Sequence, residues 1–177
     1  MFKFKNKKNI IPKRVVVFGS SGIISKNLIN NLKKNKMKYN IIGRKNIDLL
    51  NDKRAHIKIS KSIKKNDTVI FISAKAPAKN FNLLLNNIDI VNSFIEGTES
   101  KKISHLIYIS SDAVYSDIKA KIYENSKTLP LNFHGMMHII RESILVKKFR
   151  KKILIIRPTL IYGKHDNHNG YGPNQFL

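Results

Sequence analysis

Glycine and serine carry the first chemistry legible in this chain. Gly19-x-x-Gly22-x-x-Ser25 follows directly on Val15–Phe18, and an apolar-periodic helix opens near Ile23. Strand, glycine turn and helix together make a cradle for a pyrophosphate. A glycine lets the chain turn sharply, a missing Cβ lets phosphate approach, and the helix N-terminus offers unpaired N–H groups at the positive end of its dipole. Ser21, Gly22, Ile23 and Ile24 continue that cradle after Gly19. Without a ligand the same pattern is an ordinary glycine turn in a sheet protein. Ser110 and Ser111 add hydroxyls at the carboxyl end of a central strand, which faces the crevice where ligands bind; the bland alternative is a strand end making turn hydrogen bonds. Arg44 closes the second strand with no adjacent acid in the sequence. In a dinucleotide fold an acid there binds a ribose 2′-hydroxyl and an arginine favours a 2′-phosphate, while a solvated arginine is the alternative.

These residues need a sheet to hold them. Val15–Phe18 is an apolar run rich in β-branched residues, the mark of a strand buried on both faces. Further strands are expected at Tyr39–Ile42, Thr68–Ser73, His105–Ser110 and Lys152–Ile156. Helices are expected between them, at Ile23–Lys34, Lys53–Lys64, Asn82–Glu99 and His134–Phe149. Alternation with right-handed crossovers predicts an α/β fold with a doubly wound parallel sheet. It forms one domain over residues 14–177, after a basic lead-in at 1–13.

The 177 residues are enough for one real core, and the absence of cysteine excludes disulfides and thiolate metal sites. The run Val15–Phe18 is too short for a signal-peptide core or a membrane span, so a cytoplasmic protein without membrane contact is expected. A net charge of +23 raises nucleic acid as a partner. Yet the lysines are scattered in short runs along the whole chain and arginine is scarce. Weak nonspecific binding at low salt is expected; specific nucleic-acid recognition is not. His165-x-x-His168 with Asp166 lacks a third placed ligand, so no metal is expected.

Gly19-x-x-Gly22-x-x-Ser25 resembles the G-x-x-G-x-x-G of the extended short-chain dehydrogenase/reductases, with Ser25 at the third glycine, where it should push the helix slightly outward. Ile107–Tyr115 resembles the family strand whose end carries the catalytic hydroxyl before a Val-Tyr pair, which puts Ser111 at the catalytic position and Ser110 beside it. Ile153–Gly163 is similar to the family's Arg-Pro-x-x-x-Tyr-Gly strand. That match implies Pro158 near the nicotinamide and Arg157 bonding carbonyls under the sheet. Residues 70–76 look like the strand ending beside the cofactor, which implicates Ser73, Ala74 and Lys75. Asp48-Leu49 matches a pair that contacts adenine, with a helix-capping loop as the alternative, and Asn87 resembles the Asn of the central helix. The compact region between Tyr39–Ile42 and Thr68–Ser73 is similar to that of dTDP-4-dehydrorhamnose reductases. The family's base is a Tyr followed four residues later by Lys. The literal match, Tyr123-x-x-x-Lys127, lies only 12 residues after Ser111 in a non-helical stretch and is set aside. Pro130–Glu142 resembles P-x-x-x-Y-G-x-x-K-x-x-x-E, with His134 at the Tyr, His138 at the Lys and Glu142 matching.

The resemblance implies an NAD(P)-binding Rossmann fold of the NAD-dependent epimerase/dehydratase type, using NADP or NAD, with NADP favoured by Arg44. It implies a nucleotide-sugar substrate and hydride transfer at a sugar carbinol in polysaccharide biosynthesis. By the same token Ser111 polarises the sugar oxygen, His134 moves the proton, His138 holds the ribose and Gly19–Ile24 the pyrophosphate. An imidazole is a competent base near neutral pH, but it is shorter than a phenol and is not a permanent cation. A catalytically impaired dinucleotide-binding remnant or subunit is therefore carried beside the enzyme reading, with a nucleic-acid binder as the third class. The family's C-terminal substrate domain is expected to be largely absent, although Asn169–Asn174 looks like its start. A second polypeptide would then supply the substrate half, unless the protein is a truncated relative.

Overall fold

In the computed structural model, which describes residues 10–98, 102–115 and 121–163, the apolar runs become one parallel sheet. Its strands are β1 (Val15–Phe18), β2 (Tyr39–Ile42), β3 (Thr68–Phe71), β4 (His105–Ile109) and β5 (Ile153–Ile156), in the order β2-β1-β3-β4-β5. The helices are α1 (Ile23–Lys34), α2 (Ala55–Ser62), α3 (Phe81–Thr98) and α4 (Phe133–Phe149).

Period-two alternation divides β1 between two cores. Val15 and Val17, with Ile70 of β3, pack on Leu28 and Leu32 of α1. Val16 and Phe18 face the other way, into a cluster with Phe71, Phe94, Tyr108 and Leu145 under α2, α3 and α4. There Phe71 stacks on Phe94 with ring centroids 4.2 Å apart, and Phe18 meets Phe94 edge-on at 5.0 Å. Helices on both faces explain why these strands read as unbroken apolar runs. At the amino end, Arg14 Nε donates to Asp67 Oδ1 at 2.9 Å and ties the starts of β1 and β3 together.

Two strands stop short of their expected ends. The Ile72 and Ser73 N–H groups both donate to the Phe18 carbonyl at 2.9 Å, so the ladder closes there and the chain peels away after Phe71. β4 likewise ends at Ile109. The residues shed from the strands, Ile72, Ser73 and Ser110, become the rim of a cleft. α2 is shorter than its pattern, since Ile63 is already extended. α4 begins where Asn132 Oδ1 accepts the Gly135 N–H at 2.9 Å. Among the described residues, no helix is long and apolar enough to cross a membrane.

Candidate functional site

β1 connects to β2 on one side and pairs with β3 on the other, and an open α/β sheet holds ligands outside the strand ends at such a point. A cleft of about 530 Å³ opens there, walled by the segments that follow β1, β3, β4 and β5.

The glycine turn forms one end. Gly19 has φ +113°, which side chains on L-residues rarely adopt, and a Cβ on it would stand 3.2 Å from the Ser73 nitrogen. Gly22 is the N-cap of α1 with an ordinary φ of −76°, and no side chain caps that helix. A Cβ at Gly22 would meet no protein atom within 4 Å, so its bareness leaves a clear approach to the first turn of α1, where Ile23 and Ile24 are half-buried and Ser25 is buried behind them.

The other end is built by β4 and α4. Gly135 lets the helix start against the chain beyond β4, where a Cβ would strike the Ala113 carbonyl oxygen and Pro130. That contact brings His134 and His138 to the same cleft as Ser110 and Ser111. Ser111 is half-buried; its Oγ accepts the Ala113 N–H at 3.2 Å and donates to Asp112 Oδ1 at 3.1 Å. Ser110 is buried and donates to Glu142 Oε1 at 2.6 Å. The Glu142 carboxylate also accepts from Arg157 Nε at 3.0 Å and Nη2 at 2.7 Å, while Arg157 Nη1 donates to the Tyr115 hydroxyl at 2.6 Å. Arg157 is thus a tie beneath the site as expected, but its partners are a carboxylate and a phenol, not carbonyls. Glu142 on the inward face of α4 offers the bidentate match a guanidinium prefers.

His138 is buried, with Nδ1 2.8 Å from the Tyr108 hydroxyl and its ring edge-on to His134, centroids 4.8 Å apart. Burial first, then the Arg141 and His134 charges, push its pKa down to about 2, so it is neutral at physiological pH. A folded pKa below the unfolded value of 6.5 means that the unfolded chain gains a proton the folded one refuses. The contribution is full above that value and is lost as pH falls through it, by at most about 1.4 kcal/mol per pH unit. Urea unfolding between about pH 6.5 and 4.5 should therefore show a steeper loss of stability in the native protein than in His138→Gln; equal slopes would contradict a neutral buried imidazole. His134 is half-buried, its Nδ1 3.5 Å from the donating Ala78 N–H.

Of the residues singled out in the sequence, Gly19, Ser21, Gly22, Ile23 and Ile24 line the cleft on the turn side. Ser73, Ala74, Ser110, Ser111, His134, His138 and Pro158 line the rest. Arg44, Asp48, Leu49 and Lys75 are not brought into it. Leu49 is a core residue beside Ile42 and Ile59. The Lys75 backbone is held by the buried Asn87 amide, which accepts its N–H at 2.9 Å and donates to its carbonyl at 3.0 Å. Arg44 is exposed, and the acid missing beside it in sequence arrives in space, with Asp48 Oδ2 3.9 Å from its Nε. Asp48 is chiefly a turn residue, with Oδ1 accepting from the Leu50 and Asn51 N–H groups and Oδ2 from the Asn51 amide. The Asn51 bond, before the others, lowers its pKa. Tyr123 and Lys127 lie in a non-helical stretch, with Tyr123 exposed, outside the cleft lining. His165, Asp166, His168 and Asn169–Asn174 fall outside the described residues. Among those described, no group of acids and histidines is arranged to hold a metal. Ala76, Pro77, Leu160 and Ile161 also line the cleft, and Tyr108 and Arg141 lie beneath it, all unflagged by the motifs. Parity with Ser110 along β4 was the available signal for Tyr108.

A family profile described as RmlD substrate binding domain matches residues 13–171. No curated protein sequence matches the chain. Among solved structures it is similar to a UDP-glucuronic acid 4-epimerase from Bacillus cereus in complex with NAD, at 20% identity and a TM-score of 0.71, over 86% of this chain and 58% of that one. It is also similar to a dTDP-4-dehydrorhamnose reductase from Bacillus anthracis in complex with NADP, at 19% identity and a TM-score of 0.69, over 89% and 57%. A dTDP-4-dehydrorhamnose reductase from Yersinia enterocolitica matches at 19% and 0.69, over 82% and 52%. These likenesses establish a Rossmann-like fold, and the chain spans little more than half the length of each.

Proposed function

Since the chain belongs to the RmlD substrate binding domain family, we propose that it is the dinucleotide-binding domain, from residue 14 onward, of an NAD(P)-dependent oxidoreductase acting on nucleotide-linked sugars. One observation carries the reading. An uncapped helix N-terminus behind a left-handed glycine opens into the same cleft as two hydroxyls and two imidazoles. The residues fit the cofactor on their own chemistry, because bare Gly22 and the N–H groups behind it suit a pyrophosphate.

In this mechanism Gly19–Ile24 bind the pyrophosphate, while Ser110 and Pro158 border the pocket for the nicotinamide end. The bound dinucleotide would supply or accept a hydride. Neutral His138, steadied by Tyr108, hydrogen-bonds a ribose hydroxyl without adding charge. His134, the less buried imidazole, moves the proton at the sugar oxygen, and Ser111 Oγ donates to that oxygen after exchanging its bond to Asp112. We propose NADP(H) as the preferred form, since Arg44 is 68% exposed and the Asp48 oxygens are already engaged by Leu50 and Asn51. The work would be cytoplasmic and serve polysaccharide synthesis, as in the family the sequence resembles.

A second reading, binding without turnover, is supported by imidazoles standing where the resemblance puts a phenol and an ammonium. Nicotinamide fluorescence, titrated with the protein at two salt concentrations, tests the shared premise. Saturable binding that survives the higher salt is expected; binding that vanishes with salt would reduce the protein to a polycation. Hydride exchange with a nucleotide-linked sugar then separates the two readings.

A further inference from the structure

Arg141 is fully buried, yet among the described residues no carboxylate pairs with it. Its Nη2 donates to the Ser73 carbonyl at 2.6 Å and Nη1 to Asn87 Oδ1 at 3.4 Å, with Met137 Sδ 3.7 Å away. Nε has no partner. The guanidinium lies 5.0 Å from the Phe71 ring centroid and 5.3 Å from that of Tyr108, so aromatic faces replace the missing anion. Burying an unpaired charge is costly, and a fold that retains one invites a functional account.

The surroundings leave this charge uncancelled. Glu142, next in the chain, is turned to Arg157 and Ser110. Asp112 is half-buried and accepts from Ser111. Among the described residues no carboxylate, lysine or arginine lines the cleft itself, whose titratable side chains are His134 and His138, and Ser73, whose carbonyl Arg141 holds, stands on its wall. Arg141 follows His138 by three residues on α4, so the two lie on the same buried face of that helix.

Resting on the dinucleotide reading above, we propose that Arg141 is a specificity-determining residue: its buried, unpaired guanidinium makes the cleft select the reduced nicotinamide dinucleotide over the oxidised one. The two forms differ by one unit of positive charge on the nicotinamide ring. A fixed cation behind a dry wall repels that charge with little screening by water. The site is thereby set to accept a hydride donor and to release the oxidised product.

The test is the set of dissociation constants for NADH, NADPH, NAD+, NADP+ and ADP-ribose, which lacks nicotinamide. The native protein should bind the reduced form of its preferred pair about tenfold tighter than the oxidised form, which corresponds to about 1.4 kcal/mol. Arg141→Met should bring that ratio close to one and leave ADP-ribose binding unchanged, whereas Arg141→Lys should keep the preference. Arg141→Gln takes the place of the methionine variant if that one fails to fold. Equal affinities for the two redox forms in the native protein overturn the proposal without any variant. A neutral variant that weakens ADP-ribose and both redox forms alike also overturns it, because Arg141 would then be a structural tie. If ADP-ribose binds and the redox forms do not differ, only this inference fails. If none of the five ligands binds, the dinucleotide reading fails with it.

Discussion

Gly19→Val is expected to weaken dinucleotide binding by at least about a hundredfold, a loss of about 2.7 kcal/mol. Two effects act together at this position. The backbone sits at φ +113°, and a left-handed conformation costs an L-residue about 1–2 kcal/mol. The added Cβ would also press on the Ser73 nitrogen at 3.2 Å and on Ile72 Cβ at 3.3 Å, and the first of these is backbone that cannot swing aside. Relief requires the turn to open, which carries the α1 N–H groups away from the phosphates. Gly22→Val separates geometry from occupancy, since its Cβ meets no protein atom within 4 Å. It should weaken binding while leaving the melting temperature within a few degrees of the native value. Titration by nicotinamide fluorescence beside thermal unfolding checks both; undiminished binding by either variant contradicts the cradle.

Glu142→Leu is expected to destabilise the fold by about 3 kcal/mol, as breaking one side of a buried ion pair does. For a chain of this size that lowers the melting temperature by about 6–12 °C. The substitution strands Arg157 beneath the site and removes the acceptor of the Ser110 hydroxyl. Arg157→Met placed on top of it should recover part of the loss, because the stranded charge is then gone. Thermal unfolding followed by circular dichroism measures the single and the double variant against the native protein. A fall of under 2 °C in the single variant would mean that the Glu142–Arg157 pair is not the tie described.

The sheet was legible because β-branched runs buried on both faces have few other readings, and α1 runs from Ile23 to Lys34 as its periodicity predicts. The strand ends were not legible. That Ile72 and Ser73 share one carbonyl depends on β1 lying alongside, which local pattern does not carry. Arg44 and Asp48 met for the same reason: a loop closed and supplied the acid that the linear neighbourhood lacked. On the site, the motifs named the glycine turn, the two serines and the two histidines, which the fold brings to one cleft, the histidines' spacing along α4 fixing their common face. Of the groups beneath them, the motifs named Glu142 and Arg157 but not Tyr108 and Arg141. Tyr108 lies inside the strand pattern without a motif role, although it shares parity with Ser110. Arg141 carries no motif of its own, although it stands seven residues after His134 and three after His138, on the inward stripe of the helix.

The central claim is that the amino end of α1, and not the basic surface at large, receives the dinucleotide. Backbone amide chemical shifts followed by NMR during addition of NADPH test it at single-residue resolution. The account predicts the largest saturable shifts at Gly22, Ile23, Ile24 and Ser25, with a second group at Ser73 and Ala74. Shifts spread over the surface lysines and abolished by salt, with the α1 amides unmoved, would contradict it.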